Sequence, residues 1–293
     1  MKPIAVAAGA ILLMGTLAVT TIIRPRVYHG SLVNTATEQR QDRWWQQARR
    51  EIESEPPHMI HLAMRRRPDI IYRGNSEDKV VALTFDDGPH PEKAEELLNL
   101  LRQMNVKATF FVVGKMVERH PEIVRMEASE GHEIGNHSFS HVNLSKIPEE
   151  DVEVEYRACQ DLLKQVIGHG ARYCRPPGGQ TTPAVMRAAA NCAMSTAMWS
   201  DDPKDYANPG ADVIQDRVLD HLSNGAIILL HEGVDETMRI LPRLVTELRS
   251  EGYRFVTMSQ LEATLKNERE ERQPTSVARL ATFSRRTTSA AIR

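Results

Sequence analysis

From residue 79 the chain repeats one pattern. A short apolar run is followed by a polar turn, then by a longer stretch whose apolar residues recur every three or four positions. The short runs predict buried strands and the longer stretches amphipathic helices. "KVVALTF" predicts the first strand. In "KAEELLNLLRQM", Ala94, Leu97, Leu98 and Leu101 share one helical face. "VKATFFVV" predicts a second strand, and "PEIVRMEASEG" a short helix ending at Gly131. "HEIGNH" is a third strand, followed by a helix over about 148–167. "ARYCRPP", "AMSTAMW", "GAIILLH" and "YRFVTM" predict four more strands. The helices predicted between and after them lie over "TPAVMRAAANC", residues 211–223, "TMRILPRLVTELRSEG" and "SQLEATLKN". Alternation at this spacing predicts an α/β fold with a parallel sheet, wound as a barrel or laid out as an open layer. Seven such units before residue 268 leave no room for a second domain.

The amino-terminal pattern is different. After Lys2, residues 4–23 are uncharged and mostly apolar. That is about the 20 residues a transmembrane helix needs. A cleaved signal has a shorter apolar region, about 7–15 residues, and a small-x-small cleavage site. "TLAVTTIIRPR" offers no such site. The expectation for residues 1–30 is therefore an uncleaved membrane anchor, with secretion after cleavage as the alternative. Arg24, Arg26, Arg40 and Arg43 follow the span, and only Lys2 and the amino terminus precede it. A count of positive charge would keep the bulk of the chain inside. Long domains, however, are translocated largely regardless of charge. Residues 31–74, which include "TEQRQDRWWQQARREIESEPP" and "RRRPD", read as a charged, helix-prone juxtamembrane stalk. Residues 75–267 read as the single globular domain. Residues 268–293 lack apolar periodicity, are rich in Arg, Ser and Thr, and read as a disordered tail.

Composition adds little. The 41% hydrophobic and 26% charged residues supply an ordinary globular core. A net charge of −2 gives no reason to expect a nucleic-acid partner. Three scattered cysteines, Cys159, Cys174 and Cys192, make neither a disulfide framework nor a cysteine zinc site.

The chemistry lies at the carboxyl ends of the predicted strands. The first ends in Asp86-Asp87-Gly88-Pro89, the third in His137 with His141 four residues on, and the fourth in Arg175. The fifth leads to Asp201, Asp202 and Asp205, and the sixth ends at His231. In parallel α/β folds this is the edge where active sites form. "GNHSFSH" is poor in helix formers, so its two histidines sit on a turn rather than on a zincin-like helix. Two histidines and one carboxylate make a ligand set for catalytic zinc with one position open. Of two adjacent aspartates, one would ligate the metal and the other accept a proton from water that the metal acidifies. A capped turn explains one aspartate and leaves the second unexplained. A buried arginine beside a carboxylate would keep it ionised and oriented. His231 reads either as a core histidine or as an acid oriented by Asp205.

Together these motifs resemble the polysaccharide deacetylase family, the NodB-homology domain of carbohydrate esterase family four, over about residues 80–265. "TFDDGP", "HSFSH", "RPPGG", "DPKDY" and "LLH" fall in the family's order. The resemblance implies a distorted (β/α) barrel of about seven units. It implies Asp86 as catalytic base, Asp87, His137 and His141 as metal ligands, and Arg175 as the residue orienting the base. It further implies His231 as general acid tuned by Asp205, with Gly178, Tyr206 and Leu229 at the substrate. The implied cofactor is one divalent metal: zinc first, cobalt or nickel as alternatives. Tyr206 stands where the family usually has tryptophan, and Gly178 where an aromatic is common, so the substrate-facing wall departs from the pattern. The implied activity is hydrolytic N-deacetylation of N-acetylated glycans, and the apolar amino terminus adds the expectation of a membrane-anchored, extracytoplasmic domain. Peptidoglycan amino sugars are the leading substrate, with chitooligosaccharide or exopolysaccharide as alternatives. A non-haem iron oxygenase would leave the second aspartate unused. A glycan-binding pseudoenzyme would have no need of an intact base, ligands and acid.

Overall fold

The computed structural model describes residues 35–54, 70–75 and 77–272. The apolar span at 4–23, part of the stalk and most of the expected tail lie outside the described residues. In chain order the elements are α1 (Thr35–Ser54), β1 (Ile70–Ile71), β2 (Val80–Gly88), α2 (Ala94–Gln103), β3 (Thr109–Val112), α3 (Gly114–Arg119) and α4 (Pro121–Ser129). There follow β4 (Glu133–Asn136), α5 (Glu149–Ile167), β5 (Tyr173–Cys174), α6 (Pro183–Asn191), β6 (Ser195–Ala197) and α7 (Ala211–His221). The chain closes with β7 (Ala226–His231), α8 (Asp235–Ser250), β8 (Arg254–Phe255) and α9 (Met258–Arg272).

Eight strands form one sheet in the order β1-β6-β5-β4-β3-β2-β7, with β8 paired to the start of β2. Every pairing is parallel. Past β6, Asp201 makes a further parallel bridge to Ile228 of β7. That bridge curls the sheet into a distorted, barrel-like layer, and the helices cover its outside.

The strands obey a two-residue period. Val81, Leu83 and Phe85 of β2 and Ala226, Ile228 and Leu230 of β7 face outward into the main core beneath the helices. Val80 and Ala82, with Phe111, Tyr173, Ala197 and Ile227, fill the barrel interior. Met258 and Leu261 of α9 close the interior at the strands' amino ends. The same inward phase continues through Thr84 to Asp86, so the pattern that builds the core also aims the first aspartate inward.

All seven predicted strands are present. The "ARYCRPP", "AMSTAMW" and "YRFVTM" segments are paired over only two or three residues each. Three features went beyond the periodicity. Ile70–Ile71, inside the stretch expected as a stalk, adds a strand beside β6. From the same stretch α1 packs on α5 and buries Ala48. The last helix continues to Arg272, past the expected boundary at 268. Both β1 and the six-residue α3 are too short to show a period. Among the described residues, no helix is long and apolar enough to cross a membrane.

Candidate active site

The paired aspartates are separated by a backbone irregularity. The β2–β3 register shifts between Asp86 and Gly88, and Asp87 adopts a left-handed conformation with φ 72°. A regular strand would turn Asp87 outward, away from Asp86. The bulge instead swings Asp87 to the same edge, so consecutive carboxylates serve one site. Such a backbone costs about 1–3 kcal/mol and persists only where its surroundings hold it.

Asp87 Oδ1 lies 2.9 Å from His141 Nε2 and 3.3 Å from His137 Nε2. His137 Nδ1–H donates to the Arg175 carbonyl at 2.7 Å. That bond occupies Nδ1 and leaves Nε2, on the side of Asp87, as the ring atom a cation would take. The ligand atoms of Asp87, His137 and His141 all lie within 4.8 Å of one another. One carboxylate and two imidazoles, one held in the metal-binding tautomer, fit a divalent cation of the zinc type. Burial alone would raise the Asp87 carboxyl, but its hydrogen bonds to His137 and His141, with their charges, outweigh burial and hold it far below the usual range. The hydrogen bond to Asp87 raises His141 against the opposing effect of burial. Metal binding would release that proton.

Asp86 is 3% exposed. Its Oδ1 accepts from Arg175 Nη1 at 2.7 Å, while Oδ2 lies 3.7 Å from His137 Nε2. Arg175 is fully buried. It also donates to Thr84 Oγ1 at 2.9 Å and to the Ala197 and Met198 carbonyls at 3.0 Å each. Its guanidinium stacks 4.1 Å from the centroid of Phe111. Burial lowers the arginine's pKa and Asp86 counters it.

His231 is the register partner of Asp86 on β7. Its Nδ1 donates to Asp205 Oδ1 at 2.7 Å, and its backbone N–H donates to Asp205 Oδ2 at 2.7 Å. Thr237 Oγ1 and the Tyr206 N–H complete the Asp205 carboxylate. Burial would lower the His231 pKa, but Asp205, aided by Asp86 and Asp87, raises it to about 9.

The structure thus brings Asp86, Asp87, His137, His141, Arg175, Asp205 and His231 to one strand edge. Tyr206 is 53% exposed, with its ring edge-on to His231 at 5.1 Å. Leu229 is buried one inward position below His231. Gly178 has φ 69° and open space where a side chain would stand. Two acids named at the fifth strand end stand apart. Asp202 accepts the Lys204 N–H within its own turn, and Asp201 is buried at the β7 bridge. The sequence reading missed Thr84 and Thr237, whose hydroxyls engage Arg175 and Asp205. Only their fold positions reveal them; the inward phase of β2 was the one available signal for Thr84.

Comparison with known proteins identifies the family. The family model for polysaccharide deacetylase matches residues 73–197. A peptidoglycan-N-acetylglucosamine deacetylase of Bacillus cereus is 38% identical over 191 residues, covering 64% of this chain and 89% of that protein. A chitooligosaccharide deacetylase of Bradyrhizobium is 35% identical over 205 residues, covering 65% of this chain and 94% of that one. Among solved structures, a carbohydrate esterase family 4 pseudoenzyme from Bacillus anthracis aligns with TM-score 0.64 at 29% identity, covering 67% of this chain and 69% of its own. The chain belongs to the polysaccharide deacetylase family, hydrolases that act on amide bonds.

Proposed function

We propose that this protein is a metal-dependent N-deacetylase of N-acetylated glycans, with peptidoglycan amino sugars as its substrate. The observation that carries the reading is the Asp87–His137–His141 cluster beside an Arg175-bound Asp86 and opposite an Asp205-bound His231. A divalent cation held by the cluster would polarise the acetamide carbonyl and lower the pKa of the attacking water. Asp86, through the oxygen not engaged by Arg175, takes the water's proton as the C–O bond forms. The Gly178 backbone N–H, assigned by family resemblance, faces the developing oxyanion. His231 gives its proton to the nitrogen as the C–N bond breaks, leaving acetate and a free amine. Peptidoglycan is favoured by the relative in Bacillus cereus and is the polymer an anchored, extracytoplasmic domain would meet. The Bradyrhizobium relative favours chitooligosaccharide as the second reading.

Acetate release by the purified full chain on peptidoglycan, N-acetylated chitooligomers and exopolysaccharide should be highest on peptidoglycan. It should vanish after dialysis against a chelator and return with zinc. Chelator-resistant release would defeat the metal reading, and no release on any glycan would favour a non-catalytic glycan-binding protein; the Bacillus anthracis neighbour is a pseudoenzyme of the same family.

Asp205 gives the reading a pH signature. His231, raised to about 9, carries its proton through neutrality. Its stabilising effect is complete below the unfolded value near 6.5 and is lost as pH rises through about 9. In Asp205→Asn the carboxylate disappears while burial remains, so the alkaline limb of kcat should move to lower pH by about 1–3 units. An unmoved alkaline limb would remove His231 as the acid.

A further inference from the structure

The loop joining the two candidate histidine ligands lacks a regular ladder, and side chains take its N–H groups one by one. Ser138 N–H donates to Asn136 Oδ1 at 2.9 Å, and His141 N–H to Ser138 Oγ at 3.0 Å. Phe139 and Ser140 N–H both donate to Oε2 of Glu155, at 3.1 and 2.8 Å. The Ser140 hydroxyl donates to the other oxygen, Oε1, at 2.7 Å. Glu155 belongs to α5 and is only 4% exposed. The next residue on α5, Tyr156, accepts through its carbonyl the Asn136 side-chain N–H at 2.9 Å. One turn of α5 therefore grips the loop at both ends. On the far side, the Ser138 and Phe139 carbonyls accept the N–H groups of Gly114 and Lys115 at 3.0 and 2.8 Å.

The grip has something to hold. Ser138 and His141 both sit in left-handed conformations, with φ 63° and 57°. Such conformations persist only when the surroundings over-determine them. A buried carboxylate, in turn, is tolerated only when hydrogen-bonded. Three of its bonds go to this loop. Apart from Gln160, whose amide pairs with the Ala171 backbone, the buried face around Glu155 is largely apolar, with Val152, Cys159 and Leu163, so packing alone gives no reason for an acid there.

We infer that Glu155 is a positioning residue for the metal site. It fixes the 138–140 backbone in the shape that delivers His141 Nε2 to Asp87, 2.9 Å away. The inference rests on the metal-site reading and adds a residue outside the ligand set. Supporting groups of this kind typically change metal affinity by about 10–100-fold when lost.

The test is the zinc Kd of the full chain, measured by competition with a chromogenic chelator, alongside thermal melting of the metal-free protein. Glu155→Ala should weaken zinc about 10–100-fold, with acetate release recovering at saturating zinc. Glu155→Gln should recover most of the affinity: its amide oxygen accepts both N–H groups and its NH2 donates to the Ser140 hydroxyl. Leu163→Ala, a core truncation on the same helix, should lower the melting temperature and leave the zinc Kd unchanged. Wild-type zinc affinity in Glu155→Ala would overturn the inference. If Glu155→Ala does not fold, Ser140→Ala decides: a several-fold weaker Kd supports the inference, and an unchanged Kd overturns it. Absence of zinc uptake by the wild-type chain would instead defeat the metal-site reading itself.

Discussion

Asp87→Asn should lose zinc, whereas Asp86→Asn should keep zinc and lose turnover. The two aspartates are chain neighbours with the same chemistry, so only geometry separates these outcomes. Asp87 Oδ1 stands within 3.3 Å of both imidazole Nε2 atoms. An amide there lacks the charge that would bind a cation. Asp86 has one oxygen committed to Arg175 at 2.7 Å and the other unbonded to protein donors at the site edge. In Asp86→Asn the amide oxygen can still accept from Arg175, so the local fold survives. What disappears is proton acceptance, worth about 10²–10⁴-fold in rate. Elemental analysis of the purified variants and acetate release together resolve the two roles. Near-wild-type turnover in Asp86→Asn, or full zinc content in Asp87→Asn, would break the assignment.

This asymmetry shows where sequence stops and structure begins. The register with β7 that sets His231 beside Asp86 is non-local, but the two-residue period that puts Asp86 on one face with Val80, Ala82 and Thr84 was legible. That Asp87 joins it was not. A strict two-residue period sends Asp87 outward, and the bulge that reverses it depends on pairing with β3, a non-local fact. The same limit hid Glu155. On α5 it occupies a core-facing position in an acidic stretch, and its hydrogen-bond partners lie 15 and 16 residues back in the chain. It also hid the docking of α1 and β1, since a charged helix looks the same in solvent as against a neighbour. The βα alternation, by contrast, is carried by local periodicity, so the helices emerge close to their expected bounds. Arg175 falls between these cases. Its place after a strand was visible, but its complete burial was not, because that depends on four acceptors from the ends of two other strands, β2 and β6, converging on one side chain.

That burial makes Arg175 the residue whose loss should do the widest damage. Arg175→Met keeps much of the volume but leaves Asp86, 3% exposed, without its cation. Removing one partner of a buried ion pair typically costs about 3–5 kcal/mol, because the other charge remains desolvated. Asp86 would then also lose the donor that orients its carboxylate. Arg175→Met should therefore melt well below wild type and lose most of its acetate release. Arg175→Lys should rescue little. One ammonium with three donors cannot reproduce a planar fork that serves Asp86, Thr84 and the Ala197 and Met198 carbonyls at once, nor its stacking on Phe111. The double variant Asp86→Asn/Arg175→Met separates structure from chemistry. Removing both charges should recover part of the stability lost in Arg175→Met. Recovery should be incomplete, since the two carbonyls still lack a donor, and activity should remain absent. If the double variant were no more stable than Arg175→Met alone, the damage would come from the orphaned carbonyls and lost packing. The ion pair would then be incidental to the fold, and Arg175 would serve Asp86 only by orienting it.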